Sequence, residues 1–190
     1  MKSKLRCSWV KDDFDKEYHD REWGLVTKDD RKLFELLILE GMQAGLSWNI
    51  ILKKRAAFNI AFNNFDFNRC AEYSDEYLES LLENSSIIRN KLKIYSVRQN
   101  AISFIEIRKE YGTFYEYIWS FVKFKKVINT IENEEERLTK SDLSDIISKD
   151  MKKRGFKFVG STIIYSYLQA IGIINDHTTD CFRYEYCKTN

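Results

Sequence analysis

The two histidines of this 190-residue chain each stand near one end of it, and each has a cysteine at a spacing able to hold metal. Cys7 and His19 form C-x11-H near the start, and His177 and Cys181 form H-x3-C near the end. The second spacing lets one turn deliver two ligands to a single ion, whereas the first is too loose to persuade alone. Together they offer a Cys2His2 tetrahedron, the donor set of one structural zinc ion. Such an ion would tie together the two ends of a single domain spanning residues 1–190. Cys187 is a rival for Cys181, and Cys70 reads most simply as a buried thiol.

A second concentration of chemistry lies in residues 151–172, M-K-K-R-G-F-K-F-V-G-S-T-I-I-Y-S-Y-L-Q-A-I-G. The pattern is a helix, a short glycine-bounded hairpin, and a helix starting near Ser161. Gly160 lets a ligand approach the backbone, and the free N–H groups of the new helix favour an anion. Ser161 and Thr162 add hydroxyls, while Lys152, Lys153, Arg154 and Lys157 add positive charge. A nucleic-acid phosphate fits this arrangement, gripped without regard to sequence. The bland reading is an αα-turn with surface lysines, and the convergence of glycines, hydroxyls and cations weighs against it.

These groups need a scaffold, and the composition permits one. Hydrophobic residues make up 44% of the chain, enough for a substantial interior, while a net charge of only +2 means that a polyanion must be met by local clusters. No apolar run approaches the roughly 20 residues of a membrane span. Four cysteines without a leader-like segment suggest a reducing, cytoplasmic setting. Neither a membrane nor an obligate protein partner is implied.

The periodicity is helical nearly throughout, so the expected fold class is all-α. Asp29 and Asp30 open a helix running through Leu33, Phe34 and Leu36–Leu39 to Glu40, with Gly41 and Gly45 breaking the pattern. Ser47 is placed to cap the next helix, which carries Trp48, Ile51, Leu52, Phe58 and Phe62. A short helix is expected after Ser74 and a longer one from about Ile87 to Gly112. Thr113 and Glu116 form a capping box, residues 132–137 a solvated acidic segment, and Thr139–Asp142 the start of a helix ended by Gly155. No strand is expected.

Several segments resemble the bacterial DNA-3-methyladenine glycosylase I family. They are C-S-W-V from Cys7, Y-H-D-R-E-W-G from Tyr18, L-E-G-M-Q-A-G-L-S-W from Leu39, R-G-F-K-F-V-G-S-T-I from Arg154, and N-D-H-x3-C from Asn175. They occur in family order and cover about residues 7–181. The resemblance implies a helix-hairpin-helix glycosylase fold, excision of alkylated purines from double-stranded DNA, and zinc on Cys7, His19, His177 and Cys181. It assigns base recognition to Glu40, whose carboxylate would otherwise snorkel out or cap a turn. It makes Trp9, Tyr18, Trp23 and Trp48 the candidate stacking surfaces, Tyr18 and Trp48 foremost.

Extrusion of the base is expected to use Gln43 to Leu46, with Gly45 allowing close approach and Leu46 wedging into the vacated stack. The bland alternative makes Leu46 a core residue. Asp176, beside His177, is read as orienting that ligand. No lysine is placed as a Schiff-base nucleophile, so base release by water without strand cleavage is expected. Three departures from the family stand out: a Cys7–His19 interval one residue short, Asp15 where a pocket tyrosine is frequent, and Met42 at a position that is often polar. Phe14 is the ring that would replace the tyrosine. The competing readings are a zinc-stapled DNA-binding module without a working pocket, and a zinc hydrolase with an open metal position.

Overall fold

A computed structural model describes residues 4–189. The first helix, α1 (Asp13–Arg21), starts at Asp12, whose carboxylate accepts from the Phe14 and Asp15 amides. Helix α2 (Asp30–Gln43) is the centre of the molecule. Leu33, Phe34, Leu36–Leu39 and Met42 are all buried on it, and it packs against neighbours from both halves of the chain. Helix α3 (Trp48–Ala61) follows a four-residue turn. Short α4 (Phe67–Ala71) and α5 (Asp75–Ser80) lead to the long α6 (Lys91–Tyr111), and then come α7 (Phe114–Ser120), α8 (Asp142–Lys153), α9 (Ser161–Ala170) and α10 (Tyr184–Thr189).

The all-α expectation needs one correction. Val127–Ile128 (β1) and Ile174–Asn175 (β2) pair in parallel, and an isolated bridge joins Ile131 to Thr178. The molecule remains mostly helical. This small ladder fastens the segment after α7 to the one carrying His177, and two residues are too few to leave a period-2 signature.

Helix boundaries also differ from expectation. Helix α2 does not stop at Glu40 but runs through Gly41 to Gln43. The glycine serves close packing, because a Cβ there would meet Phe158 Cβ of the hairpin at 3.3 Å. Helix α6 begins at Lys91 rather than near Ile87, since the Asn90 side chain accepts from the Lys93 amide and fixes the start there. Ser47 occupies the cap position of α3 but makes no side-chain cap bond. Thr113 caps α7 through the Glu116 amide, as its spacing indicates. Among the described residues, no helix is long and apolar enough to cross a membrane.

Candidate functional site: an aromatic cavity beside a Cys2His2 cluster

Helices α1, α2, α3 and α9 and the 134–137 turn surround a cavity of about 550 Å³. Trp9, Tyr18, Trp23, Glu40 and Trp48 all line it, so the structure brings together the expected base-recognition residues, and Gln43, expected at the DNA, lies beside them. The Tyr18 and Trp48 rings lie 5.2 Å apart, and Trp9 stands edge-on to Trp23 at 5.2 Å. Tyr18 and Trp23 are buried, while Trp9 and Trp48 are partly open to the cavity.

Glu40 is 3% exposed, and no hydrogen bond or ion pair to its carboxylate is found among the described residues. It neither snorkels nor caps a turn. Burial pushes the carboxyl up to about 8. Two further polar atoms on this wall are buried without a partner, the Tyr18 hydroxyl and Trp48 Nε1. Burial pushes the Tyr18 hydroxyl well up, so it stays protonated and can donate. Orphaned buried polar atoms are costly, and three on one cavity are accounted for when a ligand supplies their hydrogen bonds.

Asp15 lines the wall as well, together with residues that the sequence did not mark, among them Asn49, Glu134, Arg137, Ser166 and Gln169. Asp15 is buried and accepts from the Lys11 amide and Asn49 Nδ2, pinning the start of α1 to that of α3. It takes the place expected of a ring. Phe14 does not substitute for it: that side chain is exposed and faces a separate groove with Glu17 and Leu52. Met42 is buried, so it offers no side chain to a ligand, polar or otherwise.

Behind the aromatic wall lies the cysteine–histidine cluster. The ligand atoms of Cys7, His19, His177 and Cys181 all lie within 4.8 Å of one another, and all four residues are buried. His177 Nδ1 is 3.6 Å from Cys7 Sγ and 3.5 Å from Cys181 Sγ, and His19 Nε2 is 3.4 Å from Cys181 Sγ. The other ring nitrogens are engaged, His19 Nδ1 with Asp20 at 2.9 Å and His177 Nε2 near the Trp23 carbonyl at 3.4 Å. This arrangement presents one nitrogen of each ring to the centre. Hydrogen bonding from Cys181 and both histidines holds the Cys7 thiol well below its usual range.

Cys187 is buried close to the His177 ring but is not among the converging ligand atoms, and Cys70 is a buried thiol as expected. Asp176 does not orient His177. Its carboxylate instead accepts from Asn129, Tyr165 and Gln169, on the other side of the chain from the cluster.

The turn between α2 and α3 presents Gly45 and Leu46 to solvent, with Leu46 38% exposed, which removes the core reading of that leucine. Gly45 has φ +77°, a conformation that suits glycine. Lys93 reaches across to donate from Nζ to the carbonyls of Met42 (2.8 Å) and Ala44 (2.6 Å), bracing the turn.

The hairpin is open to solvent at some of the expected positions and closed at others. Lys152, Lys153, Lys157 and Thr162 are exposed, and a Cβ added at Gly160 meets nothing within 4 Å, so the approach to the α9 N-terminus is open. Arg154, however, is tied to Asp150 and Glu110 and is not a free cation. The Ser161 hydroxyl is hydrogen-bonded to Ser144 at 2.8 Å, so it braces α9 against α8 rather than facing outward.

A helical chain that lines a cavity with four aromatic rings and an unpaired buried carboxylate has the features of a pocket for a flat polar ligand. The chain belongs to the methyladenine glycosylase family, whose model matches residues 9–184. It is 42% identical over 180 residues to the DNA-3-methyladenine glycosylase 1 of Escherichia coli (strain K12), covering 94% of this chain and 96% of that protein. It superposes with a TM-score of 0.90 on a crystal structure of a 3-methyladenine DNA glycosylase I at 44% identity, covering 94% of this chain and 98% of the other. The 3-methyladenine DNA glycosylase I of Staphylococcus aureus, whose structure addresses 3-methyladenine recognition, matches with a TM-score of 0.89 at 34% identity, over 92% and 93% of the two chains.

Proposed function

We infer that this protein is a DNA base-excision repair glycosylase that removes 3-methyladenine from alkylated DNA. The observation that carries the reading is Glu40, buried and unpaired on a cavity walled by aromatic rings. Adenine methylated at N3 is cationic while still joined to its sugar. A buried carboxyl that lacks any internal counter-charge gains more from such a base than from neutral adenine. The rings add stacking, and their negative faces favour a cation.

The target base must leave the duplex to reach this cavity. Gln43 to Leu46 would fill its place in the stack, and the α8–α9 hairpin would hold the phosphate backbone through Lys157, Gly160 and Thr162. Methylation already makes the base a good leaving group, so the chain's own part is to bind, orient and exclude water around it. Departure of the base then needs only a water molecule at the sugar carbon, with no protein nucleophile and no strand cleavage.

Cys7, His19, His177 and Cys181 suit one zinc ion by donor type and by their convergence. Four protein ligands fill a tetrahedron, so zinc would contribute structure and not an activated water, which weighs against a zinc hydrolase. Chromatography of bases released from methylated duplex DNA tests the whole reading. The intact protein should liberate free 3-methyladenine, and Glu40→Gln should lose that release while keeping fold and metal. Duplex binding without any base release would favour a non-enzymatic DNA-binding module.

A further inference from the structure

Gln169, on α9, lines the cavity and is 8% exposed. Its Nε2 donates to Asp176 Oδ2 at 2.6 Å. The same carboxylate accepts from Tyr165 Oη at 2.8 Å and Asn129 Nδ2 at 2.6 Å, and Arg137 Nη1 donates to the Asp176 carbonyl at 2.6 Å. Asp176 is 1% exposed and surrounded by donors, so it serves as an acceptor. The Gln169 amide therefore has one orientation, with its NH2 toward Asp176 and Oε1 at the free end. No hydrogen bond to that oxygen is found among the described residues.

We propose that Gln169 is a specificity-determining residue whose Oε1 accepts a hydrogen bond from the exocyclic amine of the bound base, separating 6-aminopurines from 6-oxopurines. The proposal rests on reading the cavity as a base pocket. Glu40 cannot make this distinction unaided, because its carboxyl can present either a proton or a lone pair. The Tyr18 hydroxyl, free of any internal partner, can likewise donate or accept. Gln169 cannot switch roles while Asp176 holds its NH2. A 6-oxo group placed against Oε1 puts two acceptors together with no hydrogen between them, and both lose their hydration. Asp176 is then a positioning residue for Gln169.

The test is competition between the free bases 3-methyladenine and 3-methylhypoxanthine, read by tryptophan fluorescence on the intact protein and on variants. The intact protein should prefer 3-methyladenine. Gln169→Leu should lose about tenfold in affinity for 3-methyladenine, the scale of one buried hydrogen bond, and little for 3-methylhypoxanthine. In Asp176→Asn the Gln169 amide is free to turn over, and preference should move further toward the oxo base. If Gln169→Leu does not fold, Gln169→Met keeps the length and removes the acceptor. An unchanged ratio of the two affinities in a folded Gln169 variant that binds 3-methyladenine overturns this assignment and leaves the glycosylase reading intact. Failure of the intact protein to bind either base overturns both.

Discussion

Tyr18 and His19 are consecutive residues of α1 that face opposite ways: the Tyr18 ring lies 5.2 Å from Trp48 in the cavity, while His19 Nε2 points at Cys181 Sγ, 3.4 Å away. Trp23 joins the same two regions, lining the cavity and lying 4.4 Å from the His177 ring. Fixing the cluster therefore fixes two walls of the pocket. Chelation of the purified protein, or Cys181→Ser, should lower the melting temperature and the affinity for free 3-methyladenine together, with one zinc per chain lost by metal analysis. A Cys181→Ser protein that binds the base normally with no metal would end this coupling.

Glu40 makes stability depend on pH in a defined direction. Its folded-state value is raised from 4.5 to about 8 by burial, so the folded protein holds a proton that the unfolded chain has given up. Stability from this group is fully present below pH 4.5 and is lost as pH rises through about 8. Glu40→Gln removes the titration. Urea unfolding should show that variant gaining on the parent by roughly 4 kcal/mol between pH 5 and pH 9, and parallel pH profiles would refute the burial account.

The same group sets the pH profile of excision with the opposite sign. The ionised carboxylate attracts a cationic base, and its population in the empty cavity grows toward pH 8. kcat/KM for 3-methyladenine release reports the free protein, so it should climb from pH 6 through about pH 8 and level off only above it. A flat profile over that range is incompatible with Glu40 acting as the anion.

What the chain disclosed in advance follows from how rare and how local each signal is. Two histidines and their cysteines leave few ways to build a cluster, so the four residues that converge were legible before any fold. Glu40 stood out because a lone carboxylate closes an otherwise apolar run. Gln169 and Arg137 carried no such mark: a polar residue facing a cavity looks like a surface residue until its neighbours are known. Gly41 misled for the opposite reason, since glycine reads as a breaker, and only the approach of Phe158 shows why a helix carries it. The pairing of β1 with β2 is set by tertiary contact and is too short to leave a pattern.

The hairpin makes a prediction that separates fold from binding. Gly160 has φ −63° and open space where a Cβ would go, so Gly160→Ala should fold like the parent. It should nevertheless weaken duplex binding, because the added methyl intrudes on the approach to the α9 N-terminus. Lys157→Ala should weaken binding to all sequences alike and reduce the slope of log affinity against log salt by about 1. Fluorescence anisotropy across a salt series measures both, and full affinity in the two variants at low salt would place the phosphate contacts elsewhere.

Leu46 and the turn that carries it provide a test of base extrusion itself. The turn is held by the Leu46 amide donating to the Gln43 carbonyl and by Lys93 on Met42 and Ala44. Burial depresses the Lys93 ammonium, yet two carbonyls retain it there, as expected if rigidity of the turn is what matters. An apolar wedge offsets the cost of unstacking, which is a few kcal/mol per step. Leu46→Gly should therefore slow excision from duplex DNA by about ten- to a hundredfold while leaving affinity for free 3-methyladenine unchanged. Lys93→Met should show the same split more weakly, because the leucine remains but its support is loosened. Equal losses in free-base binding would mean that the turn shapes the pocket and does not enter the stack.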